Sequence, residues 1–443
     1  MKPLQVLAIV WLVVVGAGLY GMKAAEQGWW PYPTLKEVEA FLAGNEEEST
    51  TLTEKVQNDL GLLPARHLVP PPNLEGIGAG YEFIELDVSD RRAPPVMMLA
   101  DDAPYGYRVI YGVFDLPDAL HAAILIDPEG QVQRVWPLSQ EDVDWAHPAD
   151  ANVFPHGFEI LKDGSIIVAY DHGTSMTRYD YCGNALWQVM GGFHHSIDLV
   201  DEDSFWVWGN DGQPSQFGNI MHQVAVADGS IRRSISITDM IDSNPEIDIF
   251  GIRQADEQVG SRFIVTGGGA WHQNDIDPLP ASLADQYPQF EAGDLLVSMR
   301  SPNLVYVIDP ETVRVKWWRQ GLTRRQHDPD WNDRGTITIF DNNMHRGFSH
   351  IVEIDPVTME SRRILNGERY SFYTWHRGKH QQLDSGHLLV TSAAQGRVFE
   401  AAPDGSLTFD FLNLYAPEHG ALVLSEARFL PADYFEDLPT CEP

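Results

Sequence analysis

The sequence predicts an all-β chain: a six-bladed β-propeller preceded by an N-terminal transmembrane helix and a short helical stalk. Three observations carry the prediction. Six Asp-centred turns recur along the chain, most of them have a second β run upstream, and a charge-free stretch of 19 residues stands near the N-terminus.

That stretch runs from Leu4 to Met22 behind Lys2 and is long enough to span a bilayer. A signal peptide has a shorter apolar region and a small-x-small cleavage site, and Lys23-Ala24-Ala25-Glu26 is a poor one. Residues 1–25 are therefore read as an uncleaved anchor. Positive charge on its short N-terminal side places the rest of the chain across the membrane, in the periplasm of a bacterium. Residues 26–105 read as a stalk and small N-terminal element. Thr34 and Glu37 have the capping-box spacing ahead of Leu35, Val38, Phe41 and Leu42, and a polar helical pattern follows from about 51 to 63.

Residues 106–443 repeat themselves. The turns centre on Asp127, Asp180, Asp228, Asp309, Asp355 and Asp404, at spacings of 53, 48, 81, 46 and 49 residues. Asp bonds its own backbone, and the Pro or Gly beside it supplies the turn dihedral, so each is a hairpin. Trp136, Trp187, Trp317, Ile364 and Phe409 follow as packing residues of outer strands. Upstream runs open at Gly164, Ser204, Gly293, Gly335 and Gly386. The period fits four-stranded blades of about 40 to 50 residues; a β-helix coil is far shorter, and two sandwiches would not share one turn signature. The long interval marks an insertion at about 236–289, a candidate lid over one mouth of the ring.

Histidines occupy one place in the repeat, just ahead of a blade's second strand: His156, His195, His272, His327, and His376 or His380. Innermost strands line a propeller's channel, so this pattern aims several imidazoles at one axis. Strand alternation allows His195 to face the channel only if His194 does not, and sends Asp328 into the blade if His327 faces inward. Arg346 and Arg377 are the best-placed permanent cations. A single such histidine is more often structural than catalytic. The spacing of His376 and His380 would suit zinc on a helix, but it loses that meaning in a strand.

The composition limits partners. With 64 acidic against 30 basic residues the formal net charge is -34, which disfavours nucleic acid and anionic lipid. An anionic substrate would need a locally basic site. Two cysteines, Cys182 and Cys441, exclude a disulfide framework and a thiolate metal cluster, and whether they pair is open at this level.

The runs FHHSIDL, WHQNDID, FEAGDLLVSMR, VYVIDPETVRVKWW, QHDPDWNDRGTITIFDNNMHRG and GRVFEAAPDG, spread over about 107–413, resemble the bacterial arylsulfate sulfotransferase family. The resemblance implies a six-bladed, periplasmic or membrane-attached enzyme that moves a sulfuryl group from an aryl sulfate donor to a phenolic acceptor, with no nucleotide sulfate donor and no cofactor. His327 matches the histidine of the family's QH motif and Arg346 its arginine, while the earlier channel histidine falls on His195 or His272. The last-blade segment VTSAAQGRVFE has no histidine where the family's nucleophile is expected, which leaves His376 and His380 as the nearest candidates. The implied mechanism forms an N-sulfohistidine, with a second histidine moving the phenolic proton and Arg346 and His327 stabilising the sulfuryl oxygens. The alternative is a non-catalytic propeller that binds an anionic ligand or a protein partner. A metal-dependent hydrolase with the histidines as ligands is a further rival.

Overall fold

The computed structural model describes residues 11, 20, 23, 68–69, 80–84, 86, 94–117, 119–138, 154–171, 175–210, 218–250, 271–344, 346–416 and 420–441. Met1–Val56 and Gln57–Pro443 are separate compact units, and the propeller belongs to the second. Among the described residues no helix is long and apolar enough to cross a membrane. The stretch 4–22 lies outside them except for Trp11 and Tyr20, as do both stalk helices.

Six antiparallel sheets form the blades. Blade two comprises Phe154–Ile160, Ile166–Asp171, Ser175–Tyr179 and Ala185–Met190; blade three His194–Asp201, Ser204–Gly209, Ile220–Ala225 and Ile231–Ser236. Blade four comprises Gln273–Pro278, Leu295–Met299, Leu304–Asp309 and Arg314–Gln320; blade five His327–Trp331, Ile337–Asp341, His350–Ile354 and Ser361–Asn366. Blade six starts with Lys379–Gln382, Leu388–Ser392, Arg397–Ala401 and Leu407–Leu412. Blade one takes its innermost strand, Leu424–Pro431, from the far end of the chain and continues with Gly106–Leu116, Ala119–Ile126 and Val132–Leu138. Each blade's innermost strand touches those of its two neighbours, so the six close into a circle.

All six Asp turns join the third to the fourth strand of a blade. In each the carboxylate accepts a backbone N–H a few residues on, for example Gln131 N at 2.7 Å from Asp127 and Asn184 N at 2.8 Å from Asp180. The fourth-strand aromatics tie neighbouring blades together: Trp136 Nε1 donates to Asp180 O at 3.2 Å and Trp187 Nε1 to Val226 O at 2.9 Å. The apolar cores lie between adjacent sheets. One cluster packs Trp206 and Trp208 of blade three against Val297 and Tyr306 of blade four.

Two features differ from expectation, and the cysteine pairing left open by the sequence is resolved. Val96–Leu99 and Glu82–Phe83, within the segment read as stalk, extend blade six at its outer edge, so both ends of the propeller region enter closing sheets. The range read as an insertion contains Gln273–Pro278, the innermost strand of blade four. Its polar sequence QNDIDP hides a strand because one face lines a channel rather than a core. The described remainder forms two packed pieces. A capped helix, Ile237–Ser243, sets Met240 against Tyr306, and the 3-10 turn at Ala284–Gln286 leads to Tyr287, whose hydroxyl donates to Asn332 O at 2.9 Å. Cys182 and Cys441 are disulfide-bonded, joining the C-terminal tail to blade two.

Candidate active site

Four of the six innermost strands begin with polar residues, and five of the six carry a register shift near their start: between Pro155 and Gly157, His194 and Ile197, Gln273 and Asp275, His327 and Pro329, and Leu424 and Glu426. A bulge adds an unpaired residue and re-aims its side chain. Around these bulges His195, His272 and Asp328 have φ of 61°, 47° and 50°, and Arg377, ahead of the regular first strand of blade six, has 54°, in the left-handed region that non-glycine residues seldom occupy. Such strain concentrates at functional sites.

The consequence is a cluster of imidazoles from four blades. The His195 ring lies 4.2 Å from that of His156, 4.8 Å from His194 and 5.5 Å from His272, centroid to centroid. His327 is close enough for its charge to act on His156, His195 and His272. Alternation fails at His194, because the bulge turns both members of the pair into the cluster. Their Nδ1 atoms are 2.6 Å apart, and both side chains are buried.

Hydrogen bonding fixes the tautomers. His194 Nε2 lies 3.2 Å from Gly218 O, which can only accept, so Nε2 carries the proton and Nδ1 of His194 is bare. His195 therefore donates Nδ1–H to it, and the lone pair of neutral His195 sits on Nε2. His327 Nδ1 donates to Asn342 Oδ1 at 2.7 Å and its Nε2 accepts the Arg377 N–H at 3.2 Å, so both ring nitrogens are engaged. Asn342 is held in turn by donating to the carbonyls of Thr374 and Arg377.

Burial keeps these rings neutral. It is the leading cause holding His156, His195 and His272 well below the ordinary imidazole range, followed by Arg377 for His156, by His156 itself for His195, and by Arg300 for His272. His327 is held down to about 3, by burial first and Arg300 next. Arg300 is lowered to about 10 by burial and the nearby Arg325. Its Nη2 reaches the Met344 thioether at 3.7 Å, and among the described residues its buried Nε has no hydrogen-bond partner and its guanidinium no carboxylate.

Further along the channel-lining strands the lining changes sign. Glu159, Asp198, Asp275, Asp277, Asp328, Asp330 and Glu426 come from blades one to five, met by Lys379 and Arg428. His380 belongs to this acidic level. Its Nδ1 donates to Asp328 Oδ2 at 2.9 Å and its ring is fully buried. Asp328, expected to point into the blade, instead joins Lys379 of the adjacent blade six at 2.8 Å.

Of the six residues singled out from sequence, His195, His272 and His327 are brought together. His376 stacks on exposed Trp375, ring centroids 3.9 Å apart. Arg346 is exposed and lines a groove of about 550 Å³ with Arg324, Arg363 and His350. The leading cationic neighbours of the imidazoles are Arg300 and Arg377 instead, with Arg325 and Lys379 acting more weakly. Of the cluster members not singled out as site residues, His156 occupies the repeat position and Arg377 stands out in HRGKH. Arg300 closes the run GDLLVSMR and gave no signal beyond its charge.

Buried neutral imidazoles therefore stand on the propeller axis beside a guanidinium that pairs with no carboxylate among the described residues. The family model for arylsulfotransferases (ASST) matches residues 157–413, and the chain belongs to that family. No curated protein shows a significant match. Solved structures similar to the chain include a Bacteroides caccae protein of unknown function (11% identity, 73% of this chain and 99% of the other, TM-score 0.47). Others are the Kuenenia stuttgartiensis hydrazine synthase (13%, 69% and 79%, 0.42) and the virginiamycin B lyase of Staphylococcus aureus (10%, 71% and 87%, 0.39).

Proposed function

We propose that the protein is a nucleotide-independent arylsulfotransferase that passes a sulfuryl group from an aryl sulfate to a phenol through a sulfohistidine on His195. The observation that carries this reading is the chain from Gly218 O through His194 to His195, which leaves the lone pair of a buried, neutral imidazole on Nε2.

In the first half-reaction the Nε2 lone pair attacks sulfur, the S–O(aryl) bond breaks, and its electrons leave on the phenolate oxygen. Positive charge building on the ring is relieved as Nδ1–H moves to the bare Nδ1 of His194. Arg300 and Arg377 stabilise the sulfuryl oxygens by charge-assisted hydrogen bonds. In the second half the acceptor phenol gives its proton to His156 or His272, the rings beside His195, as its oxygen attacks sulfur; the N–S electrons return to Nε2, His194 hands its extra proton back to His195 Nδ1, and the proton on His156 or His272 passes to the departed phenolate. His327, with both ring nitrogens engaged, positions the backbone of Arg377 rather than reacting. The N-terminal stretch 4–22 supports attachment to a membrane with the propeller on its periplasmic side.

The test is turnover by the purified chain with 4-nitrophenyl sulfate and a phenol, no nucleotide being added. Nitrophenol release that depends on the acceptor and yields its sulfate ester supports transfer. Binding of the aryl sulfate without release turns the reading into that of an anion-binding propeller.

A further inference from the structure

The acidic level of the channel holds a second constellation that sulfuryl transfer does not use. Asp277, Asp330, Thr338, His380 and Glu426 face one cavity of about 450 Å³. His380 is oriented as metal-bound histidines are: one ring nitrogen, Nδ1, donates to a carboxylate, Asp328 Oδ2 at 2.9 Å, and the Asp328 carboxylate also takes the His380 backbone N–H. Its other nitrogen, Nε2, is therefore the acceptor and takes the Thr338 hydroxyl at 2.9 Å. Asp330 Oδ2 lies 3.5 Å from that Nε2. This is long for a hydrogen bond but suits two ligands of one ion, which at bond lengths of about 2.1 Å stand about 3.0–3.5 Å apart. One ligand atom each from Asp328, Asp330 and His380 falls within 4.8 Å of the others.

Charge balance points the same way. Lys379 pairs with Asp275 and Asp328, and Arg428 with Glu159 and Glu426. Among the described residues no lysine or arginine pairs with Asp277 or Asp330. Glu426 supplies an independent sign: its side chain is only 3% exposed, it lines the same cavity, and its Oε2 has no hydrogen-bond partner. A buried carboxylate oxygen with nothing to bond costs free energy that a cation or its water shell recovers.

We propose that this cavity binds one divalent transition-metal ion of the zinc or manganese class, ligated by His380 Nε2 and Asp330 with Asp277 beside them, and with Asp328 as the carboxylate that orients His380. An imidazole with carboxylates selects such ions over calcium or magnesium, which prefer all-oxygen shells. The site stands or falls separately from the reactivity of His195, because it lies at the other level of the channel and shares no ligand with the imidazole cluster.

The experiment is calorimetric titration of the full chain with Zn²⁺ and with Mn²⁺ after dialysis against EDTA, alongside thermal unfolding with and without each ion. The expected result is one ion per chain and a raised Tm, with affinity weakened at least about tenfold in Asp330→Asn and in His380→Gln but unchanged in His195→Asn. Circular dichroism confirms that each variant is folded, and Asp330→Ser or His380→Asn serves in place of any that is not. No binding, binding equal in wild type and in the Asp330 and His380 variants, or loss only in His195→Asn overturns the proposal.

Discussion

His194 and His195, consecutive in sequence, face each other through their Nδ1 atoms at 2.6 Å. In a regular strand they would lie on opposite faces. The bulge that brings them together makes one the acceptor of the other's proton, and this decides which nitrogen of His195 reacts.

Replacing the acceptor of that pair tests the coupling. His194→Phe keeps an aromatic ring but removes the bare nitrogen, so His195 loses the partner that fixes its tautomer and takes up its proton. The rate of transfer is expected to fall by about 10²- to 10⁴-fold with little change in KM. Steady-state kinetics with an aryl sulfate and a phenol check it.

Among the described residues Arg300 pairs with no carboxylate, so on the proposed reading it is ready to receive an anion. Arg300→Met should lower kcat/KM by about 10²- to 10³-fold, whereas Arg346→Met, at an exposed groove, should change it by less than about threefold. The two variants assayed side by side separate the cluster's guanidinium from the one that the family motif points to.

The pH profile follows from the direction of the histidine shifts. Burial holds His195 well below its ordinary range and His327 at about 3, so the imidazoles stay neutral in mildly acidic solution. The acid limb of kcat/KM should therefore lie below pH 6 rather than at an unperturbed value of about 6.5. For stability the sign is that of a depressed base. The unfolded chain takes up protons below about pH 6.5 while folded His327 does not, so its contribution is full above that pH and is lost as pH falls toward about 3. Rate profiles and urea unfolding between pH 4 and 8 measure both.

Ring closure rests on the C-terminal strand, and the Cys182–Cys441 disulfide anchors the tail that follows it. Converting both cysteines to alanine should cost about 2–5 kcal/mol, and reduction of the wild type should lower its Tm in the same direction. A buried ion pair braces the same closure from inside: Arg108 of blade one donates from Nε and Nη2 to Glu400 of blade six, each at 2.8 Å. Glu400→Gln leaves the guanidinium buried without its counter-charge and is expected to cost about 3–5 kcal/mol. Denaturant unfolding of the two variants checks both figures.

The propeller was legible because its turns are local chemistry: Asp, Gly and Pro at fixed places report hairpins without knowledge of distant contacts. The histidine repeat was legible for the same reason. What escaped depends on geometry between blades. QNDIDP and HDPDW do not read as central strands, since an inner strand facing a polar channel lacks the apolar pattern of a core strand. The segment LSEARFLP gave no hint that it completes a sheet begun some 300 residues earlier. The pairing of His194 with His195 was missed because alternation holds only where the ladder is regular, and a bulge leaves no reliable mark in one sequence. The sequence points to Arg346 and Arg377 by their place near the histidine repeat, and to Arg346 again by the family motif, whereas Arg300 comes near His272 and His327 only through the fold.

The most direct measurement is peptide mapping by mass spectrometry after the chain is exposed briefly to an aryl sulfate without acceptor and quenched at alkaline pH. One sulfuryl group on His195, absent in His195→Asn and discharged by added phenol, is the predicted result. A sulfuryl group on His376 or His380, or full turnover in His195→Asn, would contradict the account.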